Sequence, residues 1–120
     1  MMANVYSVEE SLLDWLNDMG YAAYVRVPKN RPDRFVTVER TGGNVADMVD
    51  HPTIAIQTWA TSQAVAEKDA CAIRMVALMG QLPEGVHSMQ INSGPYKFYD
   101  EDSDMPRYQT LFDVTCQLVS

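Results

Sequence analysis

The chain has 120 residues, a net charge of −7, 47% apolar and 21% charged residues. That length suits one domain, and the apolar content argues against disorder. Nine basic residues spread along the chain leave no patch for sequence-independent DNA binding. Residues 1–10 lack the positive and apolar regions of a secretory signal, and no apolar run approaches the roughly 20 residues of a membrane span.

Residues 8–19 read as a first helix. Ser7 is an N-cap, Glu10 three positions on completes a capping box, and Gly20 is a stop. Val8, Leu12, Trp15, Leu16 and Met19 recur at helical spacing. Residues 22–27 read as a first strand, closed by Pro28 and Pro32, which cannot donate to a ladder. Residues 35–40 are a second strand ended by Gly42 and Gly43, residues 44–51 a loop, and residues 53–60 a third strand. Residues 63–81 form the longest element, a helix capped by Thr61 or Ser62 and ended by Pro83 and Gly85. Its stripe is Val65, Ala72, Ile73, Val76 and Met79, with Gln63, Glu67, Ala70, Arg74 and Gln81 on the wetter side. A fourth strand spans 86–92, a long acidic loop 94–107, and a fifth strand 108–119. In that last strand Phe112, Val114, Cys116 and Leu118 alternate toward one face.

The order α-β-β-β-α-β-β predicts an α+β domain over residues 1–120. It is a two-layer sandwich of five mostly antiparallel strands, with two helices on one face. Side chains alternate along a strand. If Val36, Val38, Ile54, Ile56 and Thr58 face the helices, then Phe35, Thr37, Glu39, Ala55, Gln57, Trp59, Leu111, Asp113, Thr115, Gln117 and Val119 lie on an uncovered face. Phe35, Trp59 and Leu111 make that face amphipathic. It is either a solvated sheet with scattered apolar residues or a subunit interface, where aromatics are enriched.

No catalytic signature stands out. His87 reads as a core or edge residue sharing a face with Met89 and Ile91, and His51 as a turn residue. Neither has a partner at metal-site spacing. No P-loop, G-x-G-x-x-G or G-x-S-x-G occurs. Cys71 and Cys116 read as buried free thiols. The run DEDSD at residues 100–104 lacks the glycine and glutamate of a calcium loop. It reads as a solvated charge run, and no cofactor is expected. PKNRPDR, residues 28–34, is the one locally basic segment. It is either a solvated loop or a docking element for the DEDSD loop of a neighbouring copy, as in a head-to-tail ring.

Three segments carry a resemblance. They are RPDRFVTVERTGG from Arg31 to Gly43, the P-x-I-x-I-Q-x-W-A of Pro52 to Ala60 with the alanine-rich helix after it, and PRY from Pro106 to Tyr108. Together they resemble the tail terminator proteins of long-tailed bacteriophages, in element order and length over most of the chain. The resemblance implies a virion structural protein rather than an enzyme, assembled in the host bacterial cytoplasm and placed in the tail or neck. It implies a homo-oligomeric ring, usually a hexamer, that caps the tail tube, ends its polymerisation and meets the head connector. Its partners would be further copies of itself, the tail tube protein and connector proteins, and the duplex would slide past acidic lumen walls without specific binding. Candidate interface residues are Arg31, Arg34, Phe35, Trp59, Asp100, Asp102, Asp104 and Arg107. Other neck completion proteins share the architecture and form a second reading. A small α+β enzyme or ligand-binding domain using His87 or the acidic loop is a third.

Overall fold

A computed structural model describes residues 4–98 and 103–120. The first described helix is α1, Val8–Asp18, whose N-cap Ser7 accepts a hydrogen bond from the Glu10 N–H, as its sequence predicts. Leu12 and Leu16 of its apolar stripe are fully buried. Gly20 ends the helix at φ +99°, a conformation that L side chains rarely adopt.

Strand β1 is only Ala23–Tyr24, and it runs parallel to β2, Arg34–Ala46. The predicted first strand is therefore mostly loop, and residues 22–40 are not a hairpin. Pro28 and Pro32 shorten it as expected, but they leave no return turn. The real hairpin lies where a loop was predicted. β2 runs through Gly42 and Gly43 to pair with β3, Val49–Ala60, across a tight turn at Asp47 and Met48. Those two residues take φ +54° and +63°, the signs a two-residue hairpin turn demands. The glycines mark a bulge between Arg40 and Gly42 rather than a stop.

Helix α2 spans Gln63–Leu78, and Ser62 caps it through the Val65 N–H. Its buried stripe is Ala66, Asp69, Ala70, Ile73 and Ala77. Ala72 and Met79, predicted inside, are exposed, and Ala70, predicted wet, is buried. The stripe sits about one residue, or ~100°, from the predicted one. The small alanines face the sheet, and Asp69 is drawn inward by an arginine described below.

Strand β4 is Val86–Lys97 and β5 is Arg107–Cys116. β4 outruns its predicted end at residue 92, and β5 stops before its predicted end at 119. The C-terminal residues instead meet the N-terminus, through a Val5–Val119 bridge and a Tyr6 N–H to Leu118 carbonyl bond of 3.1 Å.

The fold is α+β, with two helices and one mixed five-stranded sheet among the described residues, in the order β1-β2-β3-β5-β4. Every pairing except β1–β2 is antiparallel. One apolar cluster joins Leu12 and Leu16 of α1 and Ile73 and Ala77 of α2 to Val36, Val38, Ile54, Ile56, Phe112, Val114 and Cys116 of the sheet. The inward set predicted for the strands is the observed one except for Leu118, which lies past the end of β5 and outside the cluster. No described helix is long and apolar enough to cross a membrane.

Candidate interaction surface

The sheet face opposite that cluster was expected to be uncovered, with Phe35 and Trp59 open to solvent. The structure corrects this: each is 1% exposed. They are direct cross-strand partners on β2 and β3, and their rings stack with centroids 5.3 Å apart at 11°. Tyr24 meets Phe35 edge-on at 6.1 Å. Over Trp59 lie two guanidinium groups, Arg107 at 4.6 Å and Arg31 at 5.1 Å from the ring centroid, and Arg107 also lies 4.2 Å over Phe98. A cation over an aromatic face is attracted by the ring quadrupole. The chain thus covers these rings itself, with arginine planes as the lid. Leu111 is half-buried and Ala55 is buried on the same face.

A row of polar side chains crosses the sheet beside this stack. Thr37, Gln57, Gln109 and Tyr96 sit opposite one another on β2, β3, β5 and β4. Their hydrogen bonds all run one way. The Trp59 indole N–H donates to Thr37 Oγ1 at 3.2 Å, and Thr37 donates to Gln57 Oε1 at 3.3 Å. Gln57 Nε2 donates to Gln109 Oε1 at 2.6 Å, and Gln109 Nε2 to the Tyr96 hydroxyl at 2.5 Å. Arg107 Nη1 joins the row at Gln57 Oε1, 3.4 Å away. Thr37 and Gln109 are buried, so satisfying their polar groups matters.

Arg34 points to the other face. Its Nε and Nη2 donate to Asp69 Oδ2 and Oδ1 at 2.7 and 2.6 Å, a two-pronged pair between the start of β2 and α2. The Arg34 side chain is 58% exposed while that of Asp69 is 6% exposed. The arginine therefore solvates a carboxylate that the helix would otherwise bury alone. Tyr21 lies under the same guanidinium, and burial followed by the nearby Asp69 charge pushes its phenol above the ordinary range.

A second pair sits further along β2. Arg40 Nη1 and Nη2 donate to Asp50 at 2.6 and 2.8 Å, which holds the Asp50 carboxyl below the usual carboxylate range. Cys116, opposite Asp50 in register, is pushed up to about 11, first by burial and then by that carboxylate. Both cysteines are free, with Cys116 buried and Cys71 half-buried rather than buried as expected.

Of the eight candidate interface residues, Arg31, Phe35, Trp59 and Arg107 converge in the stack, whereas Arg34, next to Phe35 on β2, points to the opposite face and pairs with Asp69. Asp104 is exposed in the segment leading to β5. Asp100 and Asp102 lie outside the described residues. The basic and acidic loops are neighbours within one chain, since Arg31 Nη1 donates to Ser103 Oγ at 3.0 Å. The sequence reading placed Thr37 and Gln57 on this face without naming them as candidates, and it missed Tyr24, Tyr96, Phe98 and Gln109. The available signal was the repeated i, i+2 pairing of Phe35 with Thr37, Gln57 with Trp59, and Arg107 with Gln109 on three strands. His87 falls at a register shift between Val86 and Ser88 and is exposed, off the face of buried Met89. Among the described residues, no group of three His, Cys, Asp or Glu side chains could hold a metal ion.

Compared with known proteins, the chain matches no protein-family model and no curated protein.

Proposed function

We propose that this chain is a phage virion structural protein, a tail terminator. It forms a homo-oligomeric ring of six copies that caps the tail tube, ends tube polymerisation and offers a surface to the head connector. Its role is architectural rather than catalytic. In this reading the two helices and the sheet form a two-layer sandwich over the whole chain. The stack face, with Arg31, Arg107 and Asp104 at its rim, meets a partner.

One observation supports the reading most. The three segments that carry the resemblance are far apart in sequence, yet they meet at one end of the sheet. Arg34 pairs with Ala60, Phe35 with Trp59, Trp59 with Arg107 and Thr58 with Tyr108. The motif is thus one spatial unit, as a shared surface would require.

The test is tube assembly. The chain is mixed with the tail tube protein of the virus or prophage that encodes it, and tube lengths are measured by electron microscopy. Added chain should shorten tubes in proportion to its concentration and appear as a ring at one tube end. An unchanged length distribution sinks the terminator role. Binding to connector proteins with no effect on length would favour a neck completion protein instead.

A further inference from the structure

We infer that the sheet of one copy continues into the next, the outer edge of β4 pairing with the open end of β2 on a second copy. This rests on the ring reading above and deepens it by naming the two edges that meet.

Both edges lack a strand partner among the described residues. β4 ends the sheet order, with β5 on one side only. On the opposite side β1 covers β2 only at Val36 and Thr37. Further along, side chains occupy the edge. The Arg40 N–H donates to Glu9 Oε2 at 3.3 Å, and the Gly42 carbonyl accepts from Arg40 Nε at 3.2 Å. From Gly43 to Ala46 no strand pairs with the outer edge among the described residues.

Open edges are ordinarily guarded by charged side chains, because unpaired backbone groups recruit other strands. Here that guard is missing. β4 has no charged residue from Val86 to Tyr96, and β2 has none from Thr41 to Ala46, in a chain with 21% charged residues. β4 does carry register shifts, between Val86 and Ser88, Ile91 and Ser93, and Ser93 and Tyr96. The longest regular run left between them is Ser88 to Ile91. It matches the open stretch of β2 in length, an overlap of roughly 14 Å at ~3.4 Å per residue.

Polarity and faces agree as well. β2, β3, β5 and β4 alternate in direction. A copy rotated about an axis along the strands therefore brings β2 antiparallel to β4. In the register that sets Asn44 opposite Gln90, Val45 falls opposite Met89. Val45 pairs with Asp50, on the face of buried Cys116, and Met89 belongs to the same apolar cluster. Val45 is 56% exposed in the single chain, and this register gives it an apolar neighbour. Asn44 and Gln90 then meet on the opposite face. The contact uses two different edges, so it propagates head to tail and can close into a ring.

Disulfide trapping tests this. Asn44→Cys and Gln90→Cys are made singly and together in a Cys71→Ser background. Folding is checked by circular dichroism, and the samples are oxidised mildly and run without reductant. Directly paired strand residues lie within disulfide reach. The double variant should give a ladder of covalent oligomers, and each single variant should stay monomeric. Dimers from Gln90→Cys alone would mean a twofold β4–β4 contact and overturn the inference. Rings seen by light scattering without a ladder overturn the edge pairing and leave the ring reading standing. A monomer without a ladder also overturns it; the ring reading falls too only if tube length is unaffected.

Discussion

Trp59→Ala separates a residue that holds the monomer together from one that holds copies together. Trp59 is 1% exposed, stacked on Phe35, topped by Arg107 and Arg31, and hydrogen-bonded through its indole N–H. Truncating a buried Trp or Phe to Ala costs about 3–5 kcal/mol through lost transfer energy and the cavity left. The stack adds roughly 0.5–1.5 kcal/mol beyond burial, and each cation–π contact about 0.5–1 kcal/mol. These terms overlap, so the expected loss is about 4–5 kcal/mol. That is a large share of the total stability of roughly 5–15 kcal/mol typical of a domain. The assay is urea unfolding followed by far-ultraviolet circular dichroism. At a slope of about 1.5 kcal/mol/M, the midpoint should fall by roughly 3 M. Trp59→Phe keeps most of the stack and should lose only about 1–2 kcal/mol. The decisive control is protein concentration: the deficit should not change with it, because the contacts are within one chain. A Trp59→Ala loss below about 1 kcal/mol, or one that appears only where copies associate, would refute the reasoning.

Three further outcomes are expected. Arg34→Ala should destabilise more than Asp69→Ala, by about 2–3 against 1 kcal/mol in thermal or urea melts, because it strands the buried carboxylate whereas the exposed arginine rehydrates; equal losses would count against the pair. Asp50→Asn should cost about 1–2 kcal/mol near neutral pH. The Asp50 carboxyl lies below its unfolded value, so its contribution is present above about pH 4 and lost as pH falls through the folded value; the gap between variant and parent should close in acid melts, and a gap that holds there refutes the assignment. Gly43→Ala should cost at least about 2 kcal/mol, since Gly43 has φ +110° and an added Cβ would lie 2.6 Å from Pro52 Cα and nearer still to the His51 carbonyl; a melt within error of the parent would show that the hairpin relaxes freely.

Periodicity and capping made α1, the inward strand positions and the α+β class readable from sequence. Ser7, Leu12 and Leu16 do locally what the fold needs globally. The β2–β3 hairpin was not readable, because its turn uses Met48 at a positive φ, which no propensity favours. Gly42 and Gly43 look like a stop and serve as a bulge. The α2 stripe was misplaced because Asp69 counts as polar until Arg34, 35 residues earlier, arrives to neutralise it. The stack was half readable. Alternation put Phe35 and Trp59 on one face, but only tertiary structure brings Arg31 and Arg107 over Trp59 and sets Phe98 against Arg107.

The one-way row from Trp59 to Tyr96 has a further consequence. A glutamine free in water loses roughly 1.5–2 kcal/mol of rotamer entropy when it is fixed. Gln57 and Gln109 have already lost it on folding; turning Gln57 over would set acceptor against acceptor at Gln109, and turning Gln109 over would set donor against donor at Gln57. This face therefore behaves as a stiff tile, and whatever rests on it meets amides already locked in place.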